Sequence, residues 1–203
     1  MGVDIYAAIV QWDHFTSIVN GTGTDALWDI FEIGPSPTFE VHDAARFYPP
    51  LDTDSWYATC VFRGAGALGS YSPHGWLAVV WNSVGDRADM SADLVALCDR
   101  FFGRLLGPGV DFADLVSPSG LRVDTVDSAL HMACSPAEVA GLARLWRAIA
   151  GRLEELRPVM TAEIADISGW TTDFDGYATL IRDWGEIVEG AEKRAWGLFF
   201  LLQ

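Results

Sequence analysis

Between Tyr57 and Trp76 the chain reads YATCVFRGAGALGSYSPHGW, in which Gly64, Gly66 and Gly69 spell G-x-G-x-x-G and are followed by Tyr71, His74 and Trp76. Two chemistries are conceivable. Glycines after a strand can cradle a pyrophosphate if a helix begins within them, because the free N–H groups of its first turn then face the anion. A histidine among aromatic residues, with carboxylates nearby, can bind a small molecule or move a proton. The first fails on its context. Pro73 and Gly75 would both fall inside the required helix, where proline removes a hydrogen bond and clashes with the preceding turn. The glycines read better as a flexible connection able to adopt positive φ. The second defines a candidate ligand-binding set of Asp52, Asp54, Tyr71, His74 and Trp76. Its competitor is that Tyr71 and Trp76 pack into the core and His74 is a solvated turn residue.

Other motifs are missing. The single lysine, Lys193, stands near the C-terminus, and no G-x-x-x-x-G-K-[ST] or G-x-S-x-G occurs. His131 and Cys134 have H-x-x-C spacing, but no second ligand pair lies at a distance suited to structural zinc, and His131 sits in the apolar run ALHMAC. Asp52–Thr53–Asp54 lacks the surroundings of a calcium loop. No metal or cofactor is expected, and catalytic residues cannot be assigned. Cys60, Cys98 and Cys134 are widely spaced and odd in number, which reads as reduced, buried thiols in a cytoplasmic protein.

Charge narrows the partners. The 203 residues carry 28 acidic and 13 basic side chains, a formal net charge of −15. No basic patch is present to displace the counterions of nucleic acid, so direct DNA or RNA binding is not expected. An acidic surface also repels anionic membranes and attracts basic proteins. No apolar run approaches the ~20 residues that span a bilayer, and the first residues lack the basic region of a signal peptide. The arginine-rich, lysine-poor bias suggests a GC-rich bacterial source.

These residues need a scaffold, and periodicity outlines it. VDIYAAIV, WYATCVF and the final WGLFFLLQ read as strands, and DSALHMACS as a short extended segment. DHFTSIVN, with Asp13 as N-cap, and TDALWDIFEIG, with Leu27, Ile30 and Phe31 on one face, read as short helices. The proline-rich GPSPTFEVHDAARFYPP reads as an irregular excursion at about 34–55. GWLAVVWNSVG has a length that suits a strand, yet Leu77, Val80, Trp81 and Val84 also fit a helical face, and helix is the preferred reading. A longer helix opens at Ser91 with an apolar stripe from Leu94 to Leu105. Ser135, Pro136 and Glu138 form a capping box opening a helix toward Pro158, with Val139, Leu142, Trp146, Ile149 and Leu153 inward. The last helix carries Phe174, Tyr177, Ile181, Trp184, Val188 and Ala191 on one stripe. Asp183, Glu186, Glu189 and Glu192 then lie on a face expected to be solvated, of which Asp183, Glu186 and Glu189 are the candidate partner contacts. The expectation is a single α+β domain, a small sheet with several helices packed on it.

ALHMACSPAEVAGLARLWRAI followed by DGYATLIRDWGEIVEGAEKRAWGLFFLL resembles the close of the YfbM-like family of bacterial proteins. There a short strand leads to an S/T-P-x-E-V helix start, then a helix with an aromatic face and a final apolar strand. The likeness covers mainly the C-terminal third. It implies an α+β fold and a cytoplasmic bacterial protein, and it carries over no catalytic residues. Two functions stay open: a non-enzymatic acidic module of the immunity or inhibitor kind that binds a basic protein, or a small-molecule-binding domain or enzyme with its site around the Gly64–Trp76 loop.

Overall fold

Ile5–Val10 is apolar at every position, so as a strand it must be covered on both faces. The computed structural model describes residues 5–32, 47–62, 77, 80–84, 90–106, 130–166 and 173–202, and it covers them so. β1 (Ile5–Val10) is the middle of a five-stranded sheet with β2 (Phe47–Tyr48), β3 (Tyr57–Cys60), β4 (Leu130–Cys134) and β5 (Gly197–Leu202), in the order β2-β3-β1-β5-β4. Every pairing is antiparallel, with Ala8 opposite both Thr59 and Phe199. The fold is mixed α+β.

The sheet divides two apolar layers. Ala7, Ile9, Ala58, Cys60, Met132, Cys134, Leu198 and Phe200 belong to the larger one. Its helices are α3 (Ala92–Leu106), α4 (Pro136–Ala150), α5 (Arg157–Asp166) and α6 (Phe174–Lys193). Ala8, Val10, Ala133, Phe199 and Leu201 belong to the smaller one. It is roofed by α1 (Trp12–Gly21), a 3-10 turn (Thr24–Leu27) and α2 (Asp29–Glu32). A register shift between Leu130 and Met132 puts Leu130 in the smaller layer while Met132 and Cys134 face the larger.

Local chemistry explains the helix ends. The Ser135 hydroxyl accepts from Glu138 N, and the Glu138 carboxylate accepts from Ser135 N at 2.8 Å, which closes the expected capping box. Asp173 accepts from Gly176 N at 2.8 Å and starts α6. At the far end of α6, Trp196 N donates to Ala191 O and Ala195 N to Glu192 O, a Schellman arrangement. Its left-handed residue is Ala195, with φ of 54°.

Four local expectations are revised. α1 is capped by Gln11, whose side chain makes no capping bond, rather than by Asp13, which lies in the first turn. The helix expected to run toward Pro158 breaks after Gly151 into a 3-10 turn (Leu153–Leu156) and a new helix, α5, with Pro158 in its first turn. Proline is tolerated there because that N–H has no helical partner. β2 lies inside the stretch expected to be irregular, where Phe47 and Tyr48 pair with Cys60 and Thr59. The last helix is buried over far more than one stripe, since Leu180, Asp183, Gly185, Ile187 and Gly190 join the expected residues. Leu77, Val80, Trp81 and Val84 are buried as expected, and 80–83 is helical.

Candidate functional site

The sequence-derived site residues separate. Asp52 and Asp54 are exposed in the turn before β3, where the Thr53 hydroxyl donates to Pro50 O at 2.8 Å. Tyr71, His74 and Trp76, with Gly64, Gly66 and Gly69, lie outside the described residues. On α6, Glu186 is exposed and Glu189 half-buried, but Asp183 is only 2% exposed. The expected solvated face therefore holds for Glu186 and in part for Glu189 and Glu192, and fails at Asp183. α6 packs on α4 through Gly185, which Trp146 overlies, and on the sheet's edge through Gly190, which the Phe47 ring of β2 overlies; Asp183 lies two turns before Gly190 on that second covered side.

Arginines neutralise much of the larger layer's surface acidity. Arg152 bridges Asp93 at 2.7 Å and Glu155 at 2.9 Å, and also donates to Ser91. Hydrogen bonds from Arg152 and then Ser91 hold the Asp93 carboxyl down to about 2. Arg157 bridges Glu154 at 2.6 Å and Asp175 at 2.7 Å. Arg147 forks onto both oxygens of Glu192 at 2.6 and 2.9 Å. Arg104 joins Ala133 O and Glu138. Burial would raise the Glu138 carboxyl, but the Ser135 bonds and Arg104 outweigh it and hold it below its ordinary value.

The smaller layer differs in kind. No Lys or Arg occurs in residues 1–45. Asp13 on α1, Asp25 in the 3-10 turn, Asp29 on α2, and Asp52 and Asp54 in the turn before β3 are all exposed. None of the five forms an ion pair with a described residue. Between these elements runs an open groove of about 350 Å³ lined by Ile18, Thr22, Ala26, Asp29, Ile30, Trp56 and Tyr57. Gly23, with φ of 86°, makes the sharp turn that carries the chain from α1 along the groove's edge. Gln11 N donates to Trp56 O at 2.8 Å, which ties the start of α1 to the approach to β3. The His14 ring stacks on Trp56 with centroids 4.2 Å apart and planes at 23°, and Tyr57 meets Trp56 edge-on at 5.1 Å. Ser55 fixes this corner, donating to Tyr57 O at 2.7 Å.

No family model, curated protein or solved structure matches the chain.

The sequence-derived site residues include none of this groove's lining; Asp52 and Asp54 lie in the turn that leads to Trp56. The lining comes from residues 18–30 and 56–57, which only the β1–β3 pairing unites. The available signal was the absence of cationic residues before Arg46.

Among the described residues no group of three or more His, Cys, Asp or Glu is placed to hold a metal ion, and no helix is long and apolar enough to cross a membrane. Cys134 lies near Arg104, a neighbour that could activate a thiol, yet burial dominates and pushes this thiol up to about 12. All three cysteines are buried. In the native protein at pH 8, Cys60, Cys98 and Cys134 should therefore resist an aromatic disulfide reagent, and all three should react once the chain is denatured. Native labelling of Cys134 at the rate of a free thiol would contradict its placement.

Proposed function

We propose that this protein is a non-enzymatic interaction module that binds a basic protein through the face formed by α1, the 3-10 turn, α2 and the turn before β3. The observation that carries this reading is the division of charge. Several acids on the larger layer, Asp93, Glu154, Glu155, Asp175 and Glu192, are bridged by arginines, whereas among the described residues no cation pairs with the five aspartates of the smaller layer, which surround an aromatic-lined groove. An unbalanced patch of one sign speeds encounter with the opposite sign and discourages wrong partners. Immunity or inhibitor proteins that cover a basic toxin or nuclease work by this logic. The reading keeps the YfbM-like relationship and the cytoplasmic bacterial setting as part of the same proposal. It moves the partner surface from the last helix to the smaller layer, because of the three acids expected there Asp183 is buried and Glu189 half-buried, which leaves Glu186 alone fully exposed.

The test begins with proteins retained on the immobilised chain at low salt and released at high salt. Each is then purified and its association rate measured against the parent and against a variant with Asp13, Asp25, Asp29, Asp52 and Asp54 all changed to Asn. A basic partner whose association slows by about tenfold or more in the variant, and whose rate in the parent falls steeply with salt, is the expected result. Binding indifferent to both salt and the five substitutions would remove the reading.

A further inference from the structure

We infer that the groove between α1, α2 and the start of β3 is a receptor for a single arginine side chain of the partner. The inference rests on the interaction-module reading and adds to it the chemistry of the central contact. The groove's volume of about 350 Å³ stands at the low end of the roughly 300–1,000 Å³ of ligand pockets. It suits one long side chain better than a cofactor. Its lining is ordered by type. Ile18, Ala26 and Ile30 offer apolar surface to a methylene stem, Trp56 and Tyr57 offer aromatic surface, and Asp29 supplies a carboxylate. A guanidinium combines the matching properties. It is always charged, weakly hydrated, stacks on aromatic rings and donates in a planar fork to a carboxylate, while its stem covers apolar surface. The ammonium of lysine is a strongly hydrated point charge and stacks less well.

The aromatic wall is also held ready. His14 stacks on one face of Trp56, and the Gln11–Trp56 backbone bond fixes the corner. An aromatic anchor site set in place before binding loses less freedom when it is filled. Asp13, Asp25, Asp52 and Asp54 do not line the groove but are exposed on the same elements, α1, the 3-10 turn and the turn before β3, and exposed charge of this kind acts on encounter more than on residence.

The experiment is an NMR titration of the intact chain with three capped tripeptides, Gly-Arg-Gly, Gly-Lys-Gly and Gly-citrulline-Gly. Citrulline keeps the arginine shape without its charge. Expected are shifts centred on the Trp56 indole N–H and the Tyr57, Thr22 and Asp29 amides with the arginine peptide, weaker shifts with lysine, and none with citrulline. Asp29→Asn and the groove-filling Ala26→Leu should each weaken the arginine peptide by about threefold to tenfold, with thermal midpoints confirming that both variants fold. Equal shifts from the citrulline peptide, or shifts centred away from the groove, would overturn the inference. A basic partner that binds with salt-sensitive kinetics but leaves Trp56 and Asp29 unperturbed would overturn the arginine receptor and leave the acidic-face module standing. A partner insensitive to salt and to the five-aspartate variant would remove the module reading instead.

Discussion

Gly185→Ala should lower the urea midpoint of unfolding by the equivalent of about 1–2 kcal/mol, whereas Gly103→Ala should leave it unchanged or raise it. Both glycines are helical, so both substitutions gain up to ~1 kcal/mol of helix propensity. They differ in what a methyl group would meet. At Gly103, on the exposed side of α3, there is nothing within 4 Å. At Gly185 a Cβ would stand 2.0 Å from Trp146 Cε2 and 2.3 Å from Cδ2. The indole of α4 lies directly on the backbone of α6. Its ring is stacked on Phe101 at 5.9 Å and is only 6% exposed, so it cannot swing clear without disturbing α3 as well. Overpacking of this kind costs about 1–3 kcal/mol and occasionally more, and here it must first cancel the propensity gain. Shrinking the ring with Trp146→Leu in the Gly185→Ala background should cost less than Trp146→Leu alone, a coupling that a double-mutant cycle reads directly. A stabilised Gly185→Ala would show that α4 and α6 do not approach as described.

Phe199→Ala and Phe200→Ala should each remove about 3–5 kcal/mol, the usual cost of emptying a core phenylalanine site. Against a typical total of about 5–15 kcal/mol, either leaves a marginal protein. The informative difference is where it loosens. Phe199 stacks on Phe15 of α1 at 4.9 Å and meets Phe31 edge-on at 6.0 Å, whereas Phe200 faces Trp184 of α6 at 6.0 Å. Hydrogen exchange should accelerate first in α1 and around the groove for Phe199→Ala, and first in α6 for Phe200→Ala. Arginine-peptide binding should fall in the former and persist in the latter under conditions where both remain folded. The same amides opening in both variants would mean that the sheet does not separate two layers.

What could be read from the sequence was what local chemistry decides. The Ser135–Glu138 box needs only four consecutive residues, and the inward stripe of α4 follows from helical spacing alone; both match the structure. Asp183 was misplaced because one stripe of periodicity locates one buried face and is silent about a second. Gly190, two turns on from Asp183 on the same side of α6, meets the Phe47 ring of β2, a cover supplied from far away in sequence. Pro158 stands in the first turn of α5, where proline is tolerated, so its position in the sequence does not tell where the helix before it ends. Strand order was not legible either, since nothing in WGLFFLLQ says that it inserts between β1 and β4. The groove depends on another long-range pairing, that of β1 with β3: His14 and Trp56 are over forty positions apart, yet their rings stack.

The pairing of β1 with β5 sets a timetable for the chain as it is made. β3 can cover one edge of β1 early, but the other edge waits for Gly197–Leu202, roughly 190 residues later. At about 5–20 residues per second, the ribosome leaves that edge open for on the order of 10–40 s. During this interval Ala8, Val10 and Phe15 lack Phe199 and Leu201 as neighbours. The nascent chain thus carries an unpaired apolar strand that a holding chaperone can recognise, and the smaller layer, with its groove, is completed only when the last strand arrives.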